Sequence, residues 1–143
     1  MTRALDLDGR VLRARVRRIR ELLATVPALG RIDPPRLVDE PVTALAAERL
    51  LTVLVELAFA CNRDVAVEVL GREPASYPAS FDLAAQAGLI SADLAARLRP
   101  SAALRDVLVL DTDPGRLAVE VPQAPALYGE YVRQVTAFVA ERG

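Results

Sequence analysis

The sequence predicts an all-α fold, an antiparallel up-and-down bundle of about four long helices and one short one. Three observations predict it. Leu12, Val16, Ile19, Leu23 and Val26 recur every three or four residues, the period of one face of an α-helix. No stretch alternates apolar and polar residues long enough to read as a strand. The chain is 52% hydrophobic but only 4% aromatic, so Leu, Val and Ala must fill the interior, and Ala and Leu lose little side-chain entropy in a helix. Long helices joined by short connections give an antiparallel bundle. At 143 residues the chain has the length of one domain with a core of its own, spanning 1–143.

The elements follow in order. The first segment runs over about residues 8–27, with Asp6 or Asp8 able to cap it. Gly30 and the Pro34-Pro35 pair end it. The second runs over about 42–70 and is apolar around most of its circumference, from Leu45 through Leu54, Leu57 and Phe59 to Val65. Such a helix belongs in the middle of a bundle or against another chain. Gly71 closes it, and a turn-rich loop follows to Pro78. A short third segment over about 79–87 stops at Gly88. The fourth is capped by Ser91 and runs to about Leu110, with Pro100 expected to kink or split it. Residues 111–115 read as a turn. The fifth segment runs over about 124–142, with Leu127, Tyr131, Val135, Phe138 and Val139 facing inward.

Several function classes are excluded. The chain has no histidine and one cysteine, Cys61, so neither a tetrahedral zinc site nor a disulfide framework can be built, and no metal is expected. No Gly-rich phosphate loop and no Gly-x-Ser-x-Gly elbow occurs, and no cofactor is expected. Cys61 reads as a small core residue, because no histidine exists to activate its thiol. No apolar run reaches membrane-spanning length; the longest candidate is interrupted by Glu56. The first residues lack a signal-peptide core, so a cytoplasmic location is expected. All 18 basic residues are arginine, and net charge is −1, so no global field attracts nucleic acid.

Local charge is another matter. Arg13, Arg17 and Arg20, with Arg10, share one face of the first segment, and few acids neighbour them. They read either as a solvated face opposite the apolar stripe or as a surface for RNA phosphate or an acidic partner, since arginine forks match phosphate. Glu56 reads as a rim residue, a partner of an arginine, or a buried group fixing dimer register. Tyr77 reads as a packing anchor, and Tyr128 and Tyr131 as core or edge residues of the last helix.

The middle of the chain carries a recognisable string. Asp64-Val65-Ala66 is followed by Gly71-Arg72-Glu73-Pro74-Ala75-Ser76-Tyr77, Phe81, Ala87-Gly88-Leu89-Ile90, Leu94-Ala95, Leu98 and Leu104-Arg105-Asp106-Val107-Leu108-Val109. This combination resembles the HepT-like family, HEPN-fold toxins of bacterial toxin–antitoxin pairs. The resemblance spans roughly residues 10–140. It implies a dimerising helical bundle, a metal-independent endoribonuclease activity on RNA, and a small nucleotidyltransferase antitoxin as partner, able to modify a toxin tyrosine. The family signature is an arginine, a polar residue, three mostly apolar residues, a histidine, any residue and a tyrosine. Arg105 and Asp106 match its start, and Val107-Leu108-Val109 match the triplet.

There the match breaks. Aligned without a gap, Leu110 stands at the histidine and Thr112 at the tyrosine. Alternatively, Leu110-Asp111-Thr112-Asp113-Pro114 matches the turn that follows the family tyrosine, and His-x-Tyr is missing as a tripeptide. On either alignment no proton-transfer group remains, and such help is worth about 10²–10⁴ in rate. The family glutamate of the second segment aligns with Ala60. The expectation is a toxin component with a catalytically impaired ribonuclease site, or a non-enzymatic partner-binding module derived from that fold. Arg105 and Asp106 are the vestigial site residues, with Asp64 as a candidate third member that could instead pair with Arg63 or Arg105.

Overall fold

The computed structural model describes residues 8–142; Asp6, offered above as a cap, lies outside them. The described chain is helical with no strand, in six α-helices rather than five. These are α1 (Gly9–Leu23), α2 (Pro34–Asp39), α3 (Pro41–Leu70), α4 (Tyr77–Gln86), α5 (Ala92–Leu108) and α6 (Pro114–Arg142), with a 3₁₀ turn at Val26–Leu29. Side-chain caps fix five helix starts; at α6 the Asp113 side chain accepts from the Arg116 amide. Asp8 accepts from the Arg10 amide, Asp33 from Arg36, Ser76 from Ala79 and Ser91 from Leu94, each satisfying an amide that has no partner inside the helix. Gly71 ends α3 at a φ of 66°, a left-handed conformation that glycine adopts without steric cost.

Helix α3 is the hub, packing against each of the other five helices. Its buried residues Ala47, Leu50, Leu51, Leu54, Val55, Ala58, Cys61, Asn62, Val65 and Ala66 keep one stripe at helical period. On the other side Val53, Leu57 and Phe59 are half-buried, and Val42 and Leu45 are exposed at the start of the helix. The all-round apolar character thus divides into a core stripe, a half-covered middle and an exposed start. One apolar cluster joins residues from all six helices. No described helix is long and apolar enough to cross a membrane.

Three expectations needed correction, and proline is the reason each time. Pro34-Pro35 starts α2 instead of merely ending a segment, because proline fits the first helical turn, where no intrahelical partner is lost. Pro100 does not split α5, and α6 begins at Pro114, ten residues before residue 124, running through Pro122 and Pro125. An interior proline costs roughly 3 kcal/mol. All three rings lie on the exposed face. Leu117, Val121, Ala124 and Tyr128 form a buried stripe on the other side of α6. At about 1.5–3 kcal/mol per large apolar side chain, that stripe offsets the two breaks.

Candidate functional site

Arg105 lies in the last turn of α5, close to the middle of α3 and the start of α4. Its Nη2 donates to Glu56 Oε2 at 3.1 Å and its Nη1 to Asp106 Oδ1 at 3.3 Å. Its Cζ sits 4.1 Å from the centroid of the Tyr77 ring. Tyr77 in turn stacks on Phe59, with centroids 4.3 Å apart and planes 28° off parallel. Guanidinium, phenol and phenyl thus form a three-layer pile. A cation over an aromatic face is held by the ring quadrupole. Burial disfavours the charge on Arg105, but the bond to Glu56, the nearby Tyr77 phenol and the bond to Asp106 outweigh it and raise its pKa above the usual arginine value.

One donor of this guanidinium is left over. Nε of Arg105 is buried and has no hydrogen-bond partner. A buried donor without an acceptor costs about 1–3 kcal/mol. Two carboxylates and an aromatic ring fix the orientation of this arginine, but its bonding capacity is not used up.

The Glu56 bond settles what that residue does: it pairs with an arginine. Glu56 lies one turn before Ala60 on the same helix, so an acid does reach the site, four residues upstream of the aligned position. The i to i+4 relation was the available signal, since both positions share a helix face.

Asp64 is not brought to Arg105. It accepts from Arg15 at 2.7 Å and lies 3.5 Å from Arg63, which also grips Glu73 through two bonds. It stands eight residues beyond Glu56 on α3, about 12 Å along the axis at 1.5 Å per residue. Burial works against the charge on Arg15, but the Asp64 bond prevails and raises its pKa. On the outer face of α1, Arg13, Arg17 and Arg20 are exposed. None of the three forms an ion pair among the described residues, while Arg10 pairs with Asp8 and Arg18 with Glu21.

Past Arg105, the two positions aligned with the family histidine and tyrosine hold Leu110 and Thr112, which carry neither imidazole nor phenol. Helix α5 ends at Leu108, Val109 and Leu110 are 62% and 88% exposed, and Thr112 lies in the turn before α6. Both aligned positions therefore face solvent. Tyr128 and Tyr131 are sealed in the core and cannot serve as accessible tyrosines. The Tyr128 hydroxyl pairs with Ser101 at 2.7 Å. The Tyr131 hydroxyl donates to Asn62 and to the Ala58 carbonyl, and burial pushes both phenols well above their usual pKa. Cys61 is fully buried, and burial raises its thiol to about 11. No group of three or more His, Cys, Asp or Glu side chains able to hold a metal ion occurs among the described residues.

The family described as Ribonuclease HepT-like matches residues 13–111, from α1 to the turn after α5. The chain belongs to the HepT-like family. Its fold is shared with solved members of toxin–antitoxin complexes. One, from a toxin–antitoxin crystal structure with AMP-PNP, superposes with a TM-score of 0.77 at 17% identity, over 89% of this chain and 98% of that one. Another, a tri-AMPylated Shewanella oneidensis HEPN toxin in complex with MNT antitoxin, gives a TM-score of 0.77 at 15% identity, over 89% and 97%. No curated protein matches the chain. The matched span of this HepT-like chain includes Arg105 and contains no histidine.

Proposed function

We propose that the chain is the toxin-side member of a toxin–antitoxin pair, with a ribonuclease fold whose site no longer moves protons. In this reading it acts in the cytoplasm by binding, as a homodimer and as the partner of a nucleotidyltransferase antitoxin. One observation carries it. Arg105 keeps its place at the end of α5, but its charge is engaged by Glu56 and Asp106, and the residues that follow are Leu110 and Thr112. An arginine can stabilise phosphate charge, yet cleavage through a 2′-hydroxyl also needs a base and an acid. Glu56 and Asp106 already accept from the arginine, so their negative charge opposes a phosphate that approaches it.

RNA binding without cleavage is compatible with this reading, because Arg13, Arg17 and Arg20 stand exposed along one side of α1. The deciding experiment is co-expression with a nucleotidyltransferase antitoxin encoded beside it. A stable complex on size exclusion supports the reading. Elution of the two as separate species contradicts it.

A further inference from the structure

A groove of about 400 Å³ opens between α2, the start of α3 and the start of α6. Its walls are Leu37, Val38, Pro41, Leu45, Pro114 and Leu117, together with Glu48. Val38 of α2 and Leu45 of α3, both lining it, are 66% and 64% exposed, and Val42 at the start of α3 is 80% exposed. Lone exposed apolar side chains are ordinary, but exposed apolar residues gathered at an apolar groove mark a contact surface.

The charge in this groove has one sign. Glu48 is the only ionisable residue lining it, is half-buried, and forms no ion pair among the described residues. Burial raises its pKa, as expected of a carboxyl that loses water without gaining a cation. Asp39 follows Val38 in sequence, and Asp111 and Asp113 flank Thr112, another lining residue. The nearby Arg36 is taken up by Glu40 and by the carbonyls of Leu29 and Arg31. Arg49 and Arg116 adjoin the region in sequence but do not line the groove.

We propose that this groove docks a segment of a partner protein that inserts apolar side chains and brings Lys or Arg to Glu48. The proposal rests on the reading that the chain works through a protein partner, and it names the face and the chemistry. A second copy fits less well. A two-fold interface would set the groove against itself, Glu48 facing Glu48, and like charges in contact disfavour association.

The test uses the whole chain, isotopically labelled, titrated with a short amphipathic helical peptide carrying a leucine stripe flanked by arginines. A matched peptide carries glutamates in place of the arginines. Amide shifts confined to residues 37–48 and 112–117 with the basic peptide, and none with the acidic one, are expected. Leu45→Glu should weaken binding about tenfold or more, as loss of a central anchor does. Because Leu45 is exposed, its circular dichroism and melting should match the parent chain. Glu48→Gln should weaken the basic peptide while leaving the fold intact.

Scattered shifts, equal binding of both peptides, or an unchanged Leu45→Glu would overturn the proposal. So would a concentration-dependent dimer that Leu45→Glu dissolves, since a second copy would then own the groove. An antitoxin complex that forms equally well with Leu45→Glu would refute the groove while leaving the proposed function standing. Peptide binding without antitoxin binding would do the reverse.

Discussion

Along α3, Ala58 and Asn62 meet Tyr131 inside the core, while Glu56 meets Arg105 at the surface. In the inner cluster every polar side chain finds a partner. Asn62 accepts from the Tyr131 hydroxyl at 2.7 Å and donates to Ser80 at 3.1 Å, and Ser80 donates to the Tyr77 carbonyl. In the outer cluster the side chain of Glu56 is 40% exposed, that of Asp106 is 49% exposed, and Nε of Arg105 has no acceptor. The difference separates a group kept for the fold from one that the fold does not need. Buried polar groups must be fully paired or they destabilise. At Arg105 the carboxylate partners are partly exposed and Nε, though buried, goes unpaired, so this cluster is held less completely than the inner one.

The comparison breaks most directly at Tyr131. Tyr131→Ala should cost about 3–5 kcal/mol, from the cavity and from the stranded Asn62 and Ala58 acceptors. Denaturant unfolding measures this, and a loss no larger than that of Arg105→Ala would erase the distinction. Next in size is a gain. Inserting His-Ala-Tyr after Val109, in the exposed turn, should raise oligoribonucleotide cleavage by about 10²–10⁴ over the parent chain. No gain in a folded variant would mean that the site has lost more than its proton-transfer group.

Arg105→Ala should change stability by less than about 1 kcal/mol, because its carboxylate partners are substantially exposed. A larger loss would make the outer cluster a structural feature. The smallest effect is at Glu48. Burial raises its pKa in the folded chain above the ordinary 4.5, so the folded state favours the neutral acid. The resulting stabilisation is complete below that value and disappears as pH climbs through the raised pKa. Glu48→Gln should therefore melt higher than the parent at neutral pH and lose the advantage near pH 4. An advantage that grows toward acid would have the opposite sign and refute the assignment.

Much of this was legible in the sequence. The stripe Leu12–Val16–Ile19 is the buried face of α1, Ser91 caps α5, and Gly71 closes α3, since periodicity and caps are local signals. Helix α2 was hidden because six residues are too few to display a period. The first three turns of α6 were hidden because Pro122 and Pro125 speak against a helix locally, while the buried stripe that overrides them belongs to tertiary packing. The motif string singled out Arg105. It could not supply Glu56 or the Phe59–Tyr77 stack, which depend on how α3, α4 and α5 meet. Asp64 drew attention by its place in the motif string, but Arg15, on another helix, claims it.

One assay bears on the whole account more than any other: incubation of the rigorously purified chain with a labelled single-stranded oligoribonucleotide, beside Arg105→Ala. The account predicts that both leave the RNA intact to the same degree as buffer. Sustained, multiple-turnover cleavage by the parent chain that disappears in Arg105→Ala would contradict it, because the groups left at the site would then have to move the proton without histidine.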